Sequence, residues 1–148
     1  ATYTLRMSAG VIKGYMKDTR PVPHQTLFYG LLERALSQGE QAPFDLPPRL
    51  RLGLYRLPLW TPLNFVYTGD TIGGNSGSPA LDAKGNLIGL NFDRVWEGTM
   101  SDIYYSPEIC RNIMVDARYI LFVIDKFAGA KNLIEEITIV YPKSQKTK

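Results

Sequence analysis

The sequence holds one cysteine, Cys110, and one histidine, His24. A lone cysteine cannot close an intrachain disulfide, which excludes a disulfide-stapled mini-domain. One imidazole and one thiol cannot build the usual zinc ligand sets, so neither a metal nor a cofactor is expected. Long apolar runs are missing too. The longest, Tyr-Ile-Leu-Phe-Val-Ile at 119–124, falls far short of the roughly 18 residues of a membrane-spanning helix. Charge of one sign is not in marked excess: 17 Lys and Arg stand against 14 Asp and Glu, net +3, which is too little to argue for nucleic acid as a partner. Part of that excess lies in Pro-Lys-Ser-Gln-Lys-Thr-Lys at the C-terminal end, so residues 141–148 read as a solvated, disordered basic tail. No signal peptide opens the sequence. It begins with Ala1 rather than Met and alternates like a strand from the outset. The start therefore reads as a position inside a longer protein and says nothing about export.

What is present fits one domain over residues 1–140 with a real core, given 148 residues and a hydrophobic fraction of 45%. Tyr3 to Tyr15 is rich in β-formers interrupted by Gly10 and Gly14, which predicts a strand pair or one bent strand. The next stretch predicts a helix with Thr26 as N-cap, an apolar face of Leu27, Leu31, Leu32, Ala35 and Leu36, and a stop at Gly39. Pro43, Pro47, Pro48, Pro58 and Pro62 then forbid a long helix or a central strand, leaving room for a short helix from Pro48. From Asn64 the pattern is β. Phe-Val-Tyr-Thr-Gly leads into a glycine loop, and Ser-Pro-Ala-Leu-Asp-Ala and Asn-Leu-Ile-Gly-Leu-Asn-Phe flank a turn as a hairpin. Asp-Ile-Tyr-Tyr-Ser (102–106) and Asn-Ile-Met-Val-Asp (112–116) read as two more strands. Asp116 then caps an apolar helix broken near Gly129, and a second short helix follows.

The glycine loop, Thr68 to Arg94, carries the chemistry. A phosphate loop would need Gly-Lys-Ser/Thr, and no lysine lies between Thr68 and Lys84. The α/β-hydrolase elbow needs Gly-x-Ser-x-Gly, whereas Gly74-Asn75-Ser76-Gly77-Ser78 ends in serine. A dinucleotide fingerprint needs a helix directly after the glycines, and Pro79 disfavours one. What remains is Gly-Asn-Ser-Gly-Ser-Pro before a hairpin. This resembles the nucleophile loop of chymotrypsin-like serine proteases. In such a loop the backbone N–H groups of Gly74 and Ser76 hold the oxyanion of a tetrahedral intermediate, and Gly77 lets the substrate lie close to the Ser76 hydroxyl. Asn75 stands where the digestive enzymes have an aspartate that pairs with a newly cut N-terminus, which argues against that route of activation.

The longer runs from Thr68 to Gly98 and from Ser101 to Glu136 are similar to the C-terminal part of the bacterial dipeptidyl-peptidase 7 and dipeptidyl-peptidase 11 family of serine exopeptidases. The likeness extends over nearly all of Tyr3 to Glu136 and is weakest across the prolines. It implies a mainly β fold with helices: the second barrel of a chymotrypsin-like double β-barrel plus C-terminal helices. It implies peptide substrates with a free N-terminus, a periplasmic or cell-surface location, and a missing N-terminal half of the same chain as partner. In the family the catalytic His and Asp belong to that half. His24 does not match the base by motif and reads as a surface or capping residue. A serine without its base is a poor nucleophile, so these 148 residues alone are expected to be inactive.

By the same resemblance Asp93 matches the residue that holds the substrate's α-amino group. Arg94 matches the position where the dipeptidyl-peptidase 11 branch has arginine and the dipeptidyl-peptidase 7 branch has glycine. The implied preference is for Asp or Glu before the cleaved bond, because a guanidinium offers a fork to a carboxylate. Trp96 reads as pocket wall or core. Two other readings stay open at this point: a chymotrypsin-like endopeptidase, and a non-catalytic binding module on a protease barrel. Half of a two-barrel protein would expose an apolar face, which also invites association into a homo-oligomer.

Overall fold

The computed structural model describes residues 4–54 and 58–141 of the chain. Of the tail expected at 141–148, all but Tyr141 lies outside them. Among the described residues seven short strands and four α-helices follow one another. β1 (Tyr15–Lys17) and β2 (Arg20–Val22) form a separate hairpin. β3 (Gln25–Leu27), β4 (Pro62–Tyr67), β5 (Pro79–Leu81), β6 (Leu87–Arg94) and β7 (Asn112–Asp116) build one sheet in the order β3-β4-β7-β6-β5, antiparallel throughout. This mainly β architecture with helices is the expected class. Among the described residues no ladder joins β5 to β3, so the sheet is not seen to close into a barrel.

α1 (Phe28–Ser37) follows β3 directly. Its first amides are not capped by Thr26, which belongs to β3 and pairs with Asn64. Phe28 N–H donates to Thr61 O at 3.0 Å and Tyr29 N–H to Leu59 O at 2.8 Å, so a neighbouring segment does the work expected of a side chain. The helix ends at Ser37 with Gln38 as C-cap, and Gly39, at φ +69°, terminates it where the stop was expected. Its buried anchors are Phe28 and Ala35, while Leu36, assigned to the inner face, is exposed. Phe28 is fully buried and meets the Phe122 ring edge-on at 5.4 Å and Tyr119 at 5.6 Å. Leu50 of α2 (Pro48–Leu54), the short helix anticipated from Pro48, joins that cluster. α3 (Ala117–Phe122) starts at the expected cap: Asp116 accepts from Arg118 N–H at 2.9 Å. It runs on through a π turn, Val123–Phe127, to the break at Gly129 and α4 (Lys131–Glu136).

Two expected strands are absent. Residues 4–14 make a single bridge, Ile12 to Tyr67. β4 is flanked by β3 and β7, and only its last residues are open to residues 11–13: Lys13 N–H reaches Val66 O and Thr68 N–H reaches Val11 O. Residues 102–106 form no strand either. β6 already has β5 on one side and β7 on the other. The chain instead leaves the sheet in a 3-10 segment, Trp96–Asp102, and returns as β7. Arg111, 3% exposed, ties that excursion down by donating to the carbonyls of Lys13, Gly14, Pro107 and Cys110.

Candidate active site

The loop before β5 is built from backbone geometry that glycine alone adopts without strain. Gly74 has φ +95° and Gly77 φ +84°, a region that costs other L-residues roughly 1–2 kcal/mol. A Cβ added at either would meet nothing within 4 Å, so the requirement is conformational rather than one of space. Asn75 closes the loop on itself. Its Oδ1 accepts from Ile72 N–H at 2.9 Å, its own N–H reaches Ile72 O at 3.2 Å, and Ser78 N–H donates to Asn75 O at 3.0 Å. Gly77 N–H then docks the loop on β6 through Asn91 O at 2.7 Å, and Asn91 N–H returns to Ser78 O at 2.9 Å. Three of the five amides from Gly74 to Ser78 are thus engaged. Among the described residues those of Gly74 and Ser76 donate to no protein acceptor.

Ser76 is exposed and lines a cavity of about 140 Å³ with Thr71, Asn91, Phe92, Asp93 and Arg94. A β-bulge shapes the far wall. Asn91 pairs with Met114, Asp93 with Ile113 and Arg94 with Asn112, so Phe92 is the extra residue. Without the bulge, alternation would put Asn91 and Asp93 on one face and Arg94 on the other. With it, Arg94 shares the face of Asn91, a re-aiming that bulges commonly perform, and Asp93, beside the bulge, still contributes to the cavity lining.

Arg94 is held on three sides. Nη1 donates to Ser101 Oγ at 2.8 Å and to Asp102 Oδ1 at 3.0 Å, and Nη2 donates to Thr71 O at 2.7 Å. Thr71 is itself tied through its hydroxyl to Asn112 Oδ1, whose amide nitrogen donates to Gly69 O. Asp93 is exposed, and its Oδ1 accepts from Arg94 N–H at 2.8 Å. The amide of Asn91 is 6% exposed, and its Oδ1 finds no donor.

The sequence-derived residues Ser76, Asp93 and Arg94 therefore meet at one cavity, with Gly74 in the adjoining turn. His24 does not join them. It is exposed and precedes β3, whereas Ser76 is docked on β6. Those strands are three ladder spacings apart, roughly 14 Å along the sheet. Trp96, expected as pocket wall or core, is neither: it is 82% exposed and does not line the cavity. Thr71, Asn91, Ser101 and Asp102 escaped the sequence reading. Only Asn91 left a signal, a polar residue directly after the apolar run at residues 87–90.

Comparison with known proteins follows the same lines. The family model for peptidase S46 matches residues 1–139. An Asp/Glu-specific dipeptidyl-peptidase of Flavobacterium psychrophilum is 51% identical over 98% of the chain. A dipeptidyl-peptidase 7 of Phocaeicola vulgatus is 39% identical over 95%. The crystal structure of Porphyromonas endodontalis DPP11 in complex with the dipeptide Arg-Glu superposes with a TM-score of 0.80 at 41% identity, covering 90% of this chain and 20% of that one. The chain spans about a fifth of the length of these relatives, 21% and 20% of the two peptidases. With a family model matched along nearly its whole length, the chain belongs to the peptidase S46 family.

Proposed function

We propose that this chain is the nucleophile-bearing part of a serine dipeptidyl peptidase that removes N-terminal dipeptides with Asp or Glu before the cleaved bond. The observation that carries the reading is the meeting of Ser76, Asp93 and Arg94 at one cavity. Ser76 Oγ attacks the carbonyl of the second residue. The free amides of Gly74 and Ser76 take the developing oxyanion. Asp93 Oδ2, which no described residue engages, accepts the substrate's α-ammonium, and Arg94 takes the acidic side chain. The general base comes from the remainder of the polypeptide, since among the described residues nothing accepts the Ser76 hydroxyl proton. These 148 residues alone consequently do not turn over. That remainder is the first partner, and large apolar side chains left open here, among them Trp60, Trp96 and Ile103, are available to it. The family likeness supports a periplasmic or cell-surface location. Among the described residues no helix is long and apolar enough to cross a membrane.

The test uses the full-length protein and chromogenic Xaa-Asp and Xaa-Leu substrates, each with a free and a blocked amino end. Free Xaa-Asp is expected to be cleaved best. Preference for Leu, or equal cleavage of blocked substrates, would overturn the roles of Arg94 and Asp93. A fluorophosphonate probe should label Ser76 in the full-length protein, and label on another serine would remove it as nucleophile.

A further inference from the structure

We propose that Asp102 and Ser101 are positioning residues for acidic-substrate selection, acting through Arg94; this rests on the reading of Arg94 given above. A guanidinium carries five N–H donors. In Arg94 the two on Nη1 have acceptors in Ser101 Oγ and Asp102 Oδ1, and one on Nη2 has Thr71 O. The Nε–H and the second Nη2 N–H have no acceptor among the described residues. Nε and Nη2 share one edge of the planar group, and that edge can take a carboxylate side-on.

The placement of the three partners decides what Asp102 does. Thr71 and Arg94 line the cavity that holds Ser76, whereas Ser101 and Asp102 do not. They contact the guanidinium from outside the cavity, at its Nη1 end. Asp102 therefore does not occupy the seat of a substrate carboxylate. It braces the arginine from behind, holding the guanidinium in one arrangement at the cavity wall before substrate arrives. Ser101 and Asp102 end the 3-10 segment that departs from β6 straight after Arg94. The excursion that interrupts the expected strand pattern thus returns two side chains to the arginine it has just left. Asp102 is 60% exposed, so its contact with Arg94 is partly screened and its removal should be tolerated by the fold.

The experiment measures kcat and KM separately in the full-length protein, on free-amine Xaa-Asp and Xaa-Leu substrates, for wild type, Asp102→Asn, Asp102→Glu and Ser101→Ala/Asp102→Asn. For Asp102→Asn the ratio of kcat/KM for Xaa-Asp over Xaa-Leu is expected to fall about 2- to 5-fold, the size of a screened ion pair. A rise in KM for Xaa-Asp should carry the fall. The double variant should fall further, and Asp102→Glu should restore most of the ratio. A change shared equally by both substrates would mean a structural role only and overturn the proposal, as would no change. A lower KM for Xaa-Asp would show Asp102 to be a competitor of the substrate and overturn it as well. A wild-type protein without preference for Xaa-Asp would remove the reading of Arg94 itself, and this proposal with it.

Discussion

Ser76 and Arg94 line the same cavity, yet the chain holds them by different means. The Ser76 wall is backbone. Two glycines at positive φ, an asparagine folded onto its own loop, and paired N–H···O bonds to β6 fix it between Ile72 and Asn91. The Arg94 wall is side chain. Its partners are Thr71, Ser101 and Asp102, from two different segments, and a bulge at Phe92 decides which face the arginine uses. A backbone-held feature is insensitive to most substitutions and intolerant of a few. A side-chain-held one can be retuned by single changes, which suits the selecting role proposed for Arg94.

The comparison breaks most visibly at Ser76, the proposed nucleophile. Ser76→Ala in the full-length protein should lower kcat on the order of 10⁴- to 10⁶-fold, as removal of such a group does elsewhere. The fold should be intact, because the exposed Ser76 side chain carries no packing. Steady-state kinetics together with a melting curve would check both halves of that statement.

Arg94→Gly comes next. Truncating one partner of a buried, hydrogen-bonded charge pair costs about 2–5 kcal/mol, roughly 30- to several-thousand-fold in kcat/KM on Xaa-Asp. Taken alone, a specificity residue would leave Xaa-Leu untouched or improved. But Arg94 also ties down Thr71, five residues before Ser76. Arg94→Gly should therefore lower kcat on Xaa-Leu as well. Single-turnover rates on both substrates would separate lost recognition from a loosened nucleophile loop.

This division also explains what the sequence could tell. Gly-Asn-Ser-Gly-Ser-Pro is legible because its constraint is local: positive φ selects glycine, and the hairpin follows at once. Asp116 was legible as a cap for the same reason, its bond reaching only Arg118. Thr26 was misleading because the helix start borrows carbonyls from Leu59 and Thr61, some thirty residues away. The strand expected at 102–106 had the right composition but no free sheet edge, and edges are a property of topology. The bulge at Phe92 leaves no glycine or proline behind, so nothing in Leu-Asn-Phe-Asp-Arg announces that Arg94 changes face.

The backbone-held wall can be probed without touching a reactive group. Gly74→Ala and Gly73→Ala add the same methyl where nothing lies within 4 Å. Only Gly74 has positive φ. Gly74→Ala should destabilise the loop by about 1–2 kcal/mol and lower kcat by up to about 10²-fold, what a misplacement near 1 Å can cost. Gly73→Ala should be close to neutral in kcat and in melting temperature. Equal effects at both positions would mean that space, not backbone angle, sets the requirement.

The smallest effect tests how far the side-chain-held wall extends. Glu97 opens the same 3-10 segment that ends in Ser101 and Asp102. It anchors that segment to the β1 hairpin, taking Lys17 Nζ at 2.5 Å on one oxygen and the Tyr15 hydroxyl at 3.0 Å on the other. The Lys17 contact, with help from Tyr15, holds the Glu97 carboxyl below its ordinary value. Burial first, then the bond to Glu97, pushes the Tyr15 phenol up to about 12 from 10.0. A carboxyl with a lowered folded pKa binds fewer protons folded than unfolded. Its stabilisation is complete above the ordinary carboxylate range and disappears as pH falls through the folded value. For the phenol the sign reverses: it stabilises fully below pH 10, and that contribution is lost as pH climbs towards about 12. Tyr15→Phe removes one partly exposed bond to a carboxylate, worth about 1 kcal/mol, or roughly 2–4 °C in melting temperature for a chain of this size. The gap between Tyr15→Phe and wild type should be full at pH 7 and close in strong base, whereas the gap for Glu97→Gln should be full at pH 7 and close in acid. If the brace on Arg94 is built in series with this anchor, Glu97→Gln should also raise KM for Xaa-Asp slightly, and by less than Asp102→Asn does. Melting gaps that do not change with pH would show that the Tyr15–Glu97–Lys17 contacts do not carry the anchoring.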